Sequence, residues 1–553
     1  MSFNLDKEIL FWGRDKVPSR EWGGRLPIAL IFPEKKNLAL STLGWQAVFR
    51  SLIKEDDFVV ERFCGQGEDE KDFKSLDNHL PLSSFPIWCF SLNFELDALN
   101  ILRYLKKHNF SLKAQHRTHF PLLIGGGPLA FLNPFPLLPA FDFMFVGESE
   151  KDFVPLLQNL KRAYLQGAQK NDLVELALSW DCVLTKEKKA RRVFQSSFFP
   201  AYSLFVSNKS AFPDTFLLEI NRGCLYGCRF CAAGYIYRPF REISLKTAKE
   251  IIKKVQPKKV GLVGTALTDW PYLKEFLYWL AENKIKFSLS SLRIEALDKD
   301  FLIFLRKQGI RSITLAVEGI SLKIRQSINK KFPEKKFWEV VSNISKLQFN
   351  TLKLYFILGF PNEQEDDFKE LEIFLNRLNK VRAEAKGKKK KGLDLIQISA
   401  SILVPKPWTP LQWIGVEDLD ILEEKIKKFK KIVKKFSGIR FSGEKPILSH
   451  IQAVLARGDE QTFSFIETAL NENSWIKAYK KEYKKIKQYL KEKDKDTVFP
   501  WDNIIQGINK EYLYKEFLFF YKQKQTSSCK KDCFKCSQCG ISKFIEGKNE
   551  DII

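Results

Sequence analysis

Glu219-Ile-Asn-Arg-Gly-Cys224-Leu-Tyr-Gly-Cys228-Arg-Phe-Cys231-Ala-Ala-Gly234 sets three cysteines in a C-x3-C-x2-C spacing directly behind a short apolar run at 217–221. Three thiolates on one loop can ligate three irons of a four-iron cluster and leave the fourth iron open. A structural or electron-carrying cluster usually takes four cysteines, so an open iron points to a bound small molecule and to chemistry. A zinc knuckle would need a fourth ligand close by, and His116 and His119 fall in a different part of the chain.

Outward from this loop the pattern is regular. Apolar runs at 217–221, 259–264, 287–294, 312–317, 351–360 and 393–404 alternate with helical periodicities near 244–256, 272–283, 299–308 and 366–378. Six strand–helix units make a partial (β/α)6 TIM-like barrel, and parallel barrels carry their active sites at the C-terminal strand ends. The cysteine loop lies at such an end, behind the first strand.

Upstream, runs at 25–33, 58–64, 86–92, 122–125 and 141–147 alternate with helical stretches at 43–53 and 94–107. That alternation predicts an α/β, doubly wound, Rossmann-like parallel sheet. The tripeptide Gly125-Gly126-Gly127 follows a strand directly, where glycines allow close approach to a ligand or simply a tight loop. Segment 176–212 reads as a linker with a hairpin. Beyond 415 the chain turns helical and basic, with apolar stripes such as Leu422, Ile426, Phe429 and Val433 on one helix face. The expected organisation is a Rossmann-like domain at 21–175, the linker at 176–212, the barrel at 213–415, a helical region at 416–525 and a four-cysteine segment at 526–542.

The totals agree. With 553 residues, several domains are expected, and 44% hydrophobic content with 28% charged suits a globular chain. No long apolar run spans a membrane and the first residues carry no signal segment, so a cytoplasmic address is expected. The net charge of +25, from 91 basic and 66 acidic residues, favours acidic partners such as RNA. The lysines are spread over several helices, and the Lys386-Gly-Lys-Lys-Lys-Lys391 block reads as a surface loop first.

Of the ten cysteines, Cys64, Cys89 and Cys182 sit among apolar residues as core thiols. Cys529, Cys533, Cys536 and Cys539 form a C-x3-C-x2-C-x2-C run. Four thiolates so close would repel one another without a cation, so a second four-iron cluster or a closed zinc site is expected, the former favoured.

The cysteine loop on a strand end resembles the signature of the radical S-adenosylmethionine (radical SAM) superfamily. That resemblance implies a 4Fe-4S cluster on Cys224, Cys228 and Cys231 that cleaves S-adenosylmethionine reductively to a 5′-deoxyadenosyl radical, with a flavodoxin or ferredoxin as one-electron donor. It also implies S-adenosylmethionine contacts at Phe230, Gly264 and Thr265, Ser290 in the third strand, Glu318 and Lys330, Ile357 and Gly359, and Val404 closing the sixth. The run Gly223–Arg241 is similar to one radical SAM family fused to a cobalamin-binding-like domain, as are Phe90–Leu96, Val404–Trp413, Ala456–Asp459 and Phe499–Asp502. The cobalamin-ligating Asp-x-His-x-x-Gly pattern would fall on Ala39, Ser41 and Gly44, so its coordinating residues are absent. Cobalamin held by Gly125, Gly126, Gly127, Gly147 and Glu148 without a protein ligand, and a retained scaffold with no cobalamin, both stay open. The expected function is a radical SAM enzyme on an unidentified substrate, with RNA or ribosomal protein suggested by charge alone. A cobalamin-dependent methyltransferase is one alternative. A non-catalytic basic iron–sulfur protein that binds RNA or ribosomal particles is the other.

Overall fold

The computed structural model describes residues 20–65, 74–195, 197, 200–388, 392–529, 533, 536 and 538–545. The first residues and Lys389–Lys391 of the basic block lie outside these. Strands β1 (Leu26–Phe32), β2 (Phe58–Cys64), β3 (Ile87–Ser91), β4 (Leu122–Gly126), β5 (Phe143–Phe145) and β6 (Val183–Leu184) form one sheet in the order β2-β1-β3-β4-β5-β6. The first five are mutually parallel and β6 runs antiparallel at the edge. Every residue of β1 is buried, as expected where helices cover both faces of a parallel sheet. Leu26, Ile28 and Leu30 enter one apolar cluster. Ala29 and Ile31 enter another that runs on into Leu218 and Ile220 of the second unit. The order 2-1-3-4-5 reverses direction between β1 and β3, and in such sheets ligands bind beyond the carboxyl ends at that point.

Within the stretch expected as a linker the chain makes a short turn. Thr185 N–H donates to the carbonyl of Lys188 at 3.2 Å, between β6 and β7 (Ala190–Arg191). β7 pairs with β16 (Ile504–Ile505), tying this segment to the C-terminal region.

The second unit contains the six parallel strands read from the sequence, as β8 (Phe216–Arg222), β10 (Lys259–Gly264), β11 (Lys286–Ser288), β12 (Ser312–Glu318), β13 (Thr351–Leu358) and β14 (Leu395–Ile402). They form two sheets, β11-β10-β8-β9, where β9 (Arg241–Glu242) is antiparallel to β8, and β12-β13-β14-β15. Among the described residues no ladder joins β11 to β12. Leu292 N–H to the Thr314 carbonyl, 3.2 Å, crosses the gap, so the arc is open. β15 (Ile439–Gly443) adds a further parallel strand beside β14, inside a stretch read as helical. In β12, β13 and β14 buried residues alternate with less buried ones, so one face packs on helices while Thr314, Lys353 and Gln397 line up on the open face.

Two placements correct the sequence reading. β11 ends at Ser288, so Ser290 lies two residues beyond the strand and is exposed. β14 ends at Ile402, so Val404 follows the strand and does not close it.

The C-terminal helices lock the units together. Asn133 donates to the carbonyls of Ala456 and Gly458 at 3.1 and 2.8 Å. Arg457 donates to the carbonyls of Ile414 and Lys491. Trp413 packs against Phe499, Tyr514 and Phe517. The Ala456–Asp459 and Phe499–Asp502 motifs are therefore joints in this structure. No helix among the described residues is long and apolar enough to cross a membrane.

Candidate active site at the cysteine loop

β8 delivers the loop, and Gly223 turns it. Its φ is +83°, and a Cβ there would meet the carbonyls of Tyr237 at 2.5 Å and Pro239 at 2.9 Å. Glycine alone adopts this turn without strain. Cys231 N–H then bonds the Cys228 carbonyl, and Gly234 N–H bonds the Cys231 carbonyl, both at 3.1 Å.

Arg229, inside the cysteine run, clamps the loop from behind. Its side chain is fully buried, donates to the carbonyls of Ser327 and Lys524 at 2.6 Å, and meets Glu516 at 3.0 Å. Asn329 donates to the Gly227 carbonyl at 3.1 Å and accepts from Thr526 N–H at 3.0 Å. The loop is thus braced by packing and hydrogen bonds on rigid elements, as a site that fixes a ligand in one orientation requires.

The three thiols share one electrostatic neighbourhood. Burial pushes Cys224 up to about 12, with repulsion from Cys228 and Cys231 adding to it. Burial likewise takes Cys228 up to about 11 against the pull of Lys330, and raises Cys231. Three such thiols ionise together only with a cation among them, so the donor set fits a metal cluster. Among the described residues no three His, Cys, Asp or Glu side chains close around a single metal ion. A cube hands each thiolate to a separate iron, so its ligands need not converge on one point.

Glu318 and Lys330, each expected as an S-adenosylmethionine contact, lie 3.6 Å apart and pair with one another. Glu318 ends β12 at φ +66°, and burial raises its carboxyl while Lys330 opposes the rise. Both act on the Cys228 and Cys231 thiols. Arg293 lies on the Tyr226 ring at 3.5 Å and also lowers Cys228. Phe230 is half-buried against the core. Ile357 lies on the less buried face of β13, opposite Ser401. Gly359, at φ +88°, is a turn whose N–H bonds Glu363 at 2.9 Å, and a Cβ there would meet Leu422 at 2.8 Å.

A cavity of about 640 Å³ extends from Cys231, Ala233, Gly264 and Thr265 to the carboxyl ends of β1, β3 and β4. Trp45, Phe90, Phe131, Phe145, Phe153 and Tyr237 supply aromatic wall. Its charges are paired with one another, three carboxylates sharing two guanidiniums. Arg222 meets Glu150 at 2.8 Å, Glu219 at 3.0 Å and Glu148 at 3.4 Å, while Arg241 meets Glu148 at 2.6 Å. The indole N–H of Trp45 is buried with no acceptor among the described residues.

The residues suggested for cobalamin divide. Gly126 faces the cavity, and nothing lies within 4 Å of the position a Cβ would take there. Gly125 packs on Met144, whose sulfur a Cβ would strike, and is not in the cavity wall. Gly127 and Gly147 are glycines because the Leu92 and Val193 backbones press on them. Glu148 is committed to Arg241 and Arg222 and joins the two units.

The second cysteine set docks on the first. Cys529 N–H donates to the Leu225 carbonyl at 2.6 Å. Cys533 is raised by burial and by Cys539, Cys529 and Cys536, so the four thiols also lie in one another's fields.

Residues 218–375 match the profile of the radical SAM superfamily, and residues 44–183 match that of radical SAM proteins, N-terminal, together more than half the chain. The chain belongs to the radical SAM superfamily. Membership implies a four-iron cluster and S-adenosylmethionine, and this radical SAM protein is an enzyme. An uncharacterised protein of Methanocaldococcus jannaschii is 29% identical over 86% of the chain and 98% of its own length. The threonylcarbamoyladenosine tRNA methylthiotransferase MtaB of Aquifex aeolicus is 25% identical over 48% of the chain and 63% of its own. The radical S-adenosylmethionine methyltransferase TsrM of Kitasatospora setae is 12% identical with a TM-score of 0.47, over 70% of the chain and 75% of its own.

Sequence reading missed Arg229, Arg241, Arg293 and Glu516. An isolated arginine in a sequence looks like surface, and no periodicity marks one whose partners come from other elements of the fold.

Proposed function

We propose that this radical SAM enzyme modifies an unactivated carbon–hydrogen bond of a substrate group held in the cavity beside Cys231. In this reading Cys224, Cys228 and Cys231 hold the four-iron cluster. Gly264, Thr265, Glu318 and Lys330 receive S-adenosylmethionine, with Phe230 and Ile357 as further contacts. When bound, the pair supplies one-electron cleavage of the sulfonium, fed by a donor such as a flavodoxin or ferredoxin. Lys330 offers a cation to a carboxylate, and the aromatic wall excludes water.

The observation that carries the reading is the continuity of the cavity from Cys231 to the switch point between β1 and β3. Its wall charges are spent on one another, so it suits an uncharged, largely planar group with an acceptor for Trp45. A nucleobase turned out of a strand is one such group, consistent with the tRNA named for the Aquifex aeolicus relative. A four-iron cluster on Cys529, Cys533, Cys536 and Cys539 completes the enzyme.

Cys228→Ala should abolish 5′-deoxyadenosine formation under anaerobic, reducing conditions, and undiminished formation would overturn the assignment. A second reading places cobalamin in the same cavity, favoured by the open face of Gly126. Anaerobic purification with hydroxocobalamin supplied distinguishes the two, since only the second expects corrinoid absorbance to travel with the protein.

A further inference from the structure

Between the two cysteine sets lies a side chain that neither absorbs. Arg238 is 3% exposed, and its Nε donates to the Gly234 carbonyl at 2.7 Å. Within strict hydrogen-bond limits neither of its terminal nitrogens has a partner among the described residues, although the neutral Tyr512 hydroxyl lies near enough to interact with the guanidinium. Tyr235 is fully buried with its ring centre 4.7 Å beneath the guanidinium, and its hydroxyl is likewise without a hydrogen-bond partner among the described residues. A buried cation met only by a neutral hydroxyl is strongly disfavoured unless an anion joins it. No carboxylate pairs with it among the described residues, whereas the buried Arg229 has Glu516.

Its surroundings say what the anion is. A Cβ at Gly227, next to Cys228, would lie 4.0 Å from Arg238 Nη2 and 3.8 Å from the Tyr235 hydroxyl. The Tyr512 ring lies 5.8 Å from the guanidinium, in the helix whose Asn509 cap bonds the Cys539 carbonyl. Cys529 is fastened to Leu225 in the same loop, and the Cys529 and Cys539 thiols are among the groups whose field the guanidinium feels most.

We propose that Arg238 is a positioning residue shared by both metal centres, its buried charge, which no carboxylate meets among the described residues, set toward the thiolates of Cys529 and Cys539 when they hold a cluster. The inference rests on the C-terminal set carrying iron. A guanidinium beside a cluster stabilises the reduced, more negative state, so it holds that centre's potential up. It also lies next to Gly227, where it can keep the C-terminal centre in register with the Cys224–Cys231 loop.

The test uses the full chain, reconstituted anaerobically, with iron and zinc analysis and potentiometric titration followed by electron paramagnetic resonance. Cys529→Ala assigns the C-terminal signal. In Arg238→Gln that centre should become harder to reduce by at least tenfold, about 59 mV for one electron, or lose its iron. Arg238→Lys should restore most of the effect. Unchanged potential and iron in Arg238→Gln would overturn the role, as would equal loss of iron in both variants, which marks packing alone. Zinc in the wild-type C-terminal set would overturn the underlying reading, and is distinguishable because it is read before any variant is made.

Discussion

Arg229 and Glu516 are 287 residues apart in the chain and meet in a fully buried pair. Replacing Arg229 with alanine would strand the Glu516 carboxylate, a loss of about 3–5 kcal/mol in such settings. Denaturant unfolding of the reconstituted protein should show that loss together with reduced iron in the Cys224–Cys231 loop. Asp97 offers a second residue-scale test. Burial, then Glu34 and Glu95, raise its carboxyl from 3.8 to about 7. The folded state therefore keeps a proton that the unfolded chain gives up, and the stability this lends is full below about 3.8 and lost as pH rises through about 7. Asp97→Asn should raise Tm more at pH 8 than at pH 5, and an equal gain at both would contradict the burial argument. At this scale the cysteines were legible because spacing alone encodes ligand sets. Glu318 and Lys330 were singled out only through family resemblance, and their pairing was not legible at all. Arg238 and Arg293 were not legible, because what surrounds a charged side chain is set by elements distant in the chain.

Among elements, the short turn after β8 carries the strictest requirement. Gly223→Ala would force a side chain into φ +83° against two carbonyls. A cost of about 1–3 kcal/mol and lower iron occupancy in this loop are expected, with the C-terminal set unaffected. Gly126→Ala is the control, since nothing lies within 4 Å of its added methyl, and its Tm should stay near wild type. Most strands were readable from apolar runs. β11 proved shorter than its run because only Lys286–Ser288 finds a ladder partner on β10, leaving Ser290 outside. β15 escaped notice because Ile439–Gly443 is a half-exposed edge whose only sheet neighbour among the described residues is β14.

For the whole molecule, the two units are joined by charge as well as by apolar packing. Glu148 at the end of the first sheet takes Arg241 and Arg222 from the segment around the cysteine loop. Glu148→Ala would leave both arginines short of a partner in a buried seam, and calorimetry should show the transition broaden or divide into two. The doubly wound and barrel-like halves were both legible as alternations of strand and helix. Their contact was not, because it is made by single residues at loop ends. The same holds for the C-terminal set, whose spacing predicts a metal site and whose seat on Leu225 only the fold supplies.

The most direct measurement is electron paramagnetic resonance of the reduced, anaerobically reconstituted enzyme before and after S-adenosylmethionine is added. A changed signal from the cluster on Cys224, Cys228 and Cys231 is expected, because the nucleotide would bind its open iron. An identical spectrum at saturating nucleotide, with that cluster fully loaded, would contradict it.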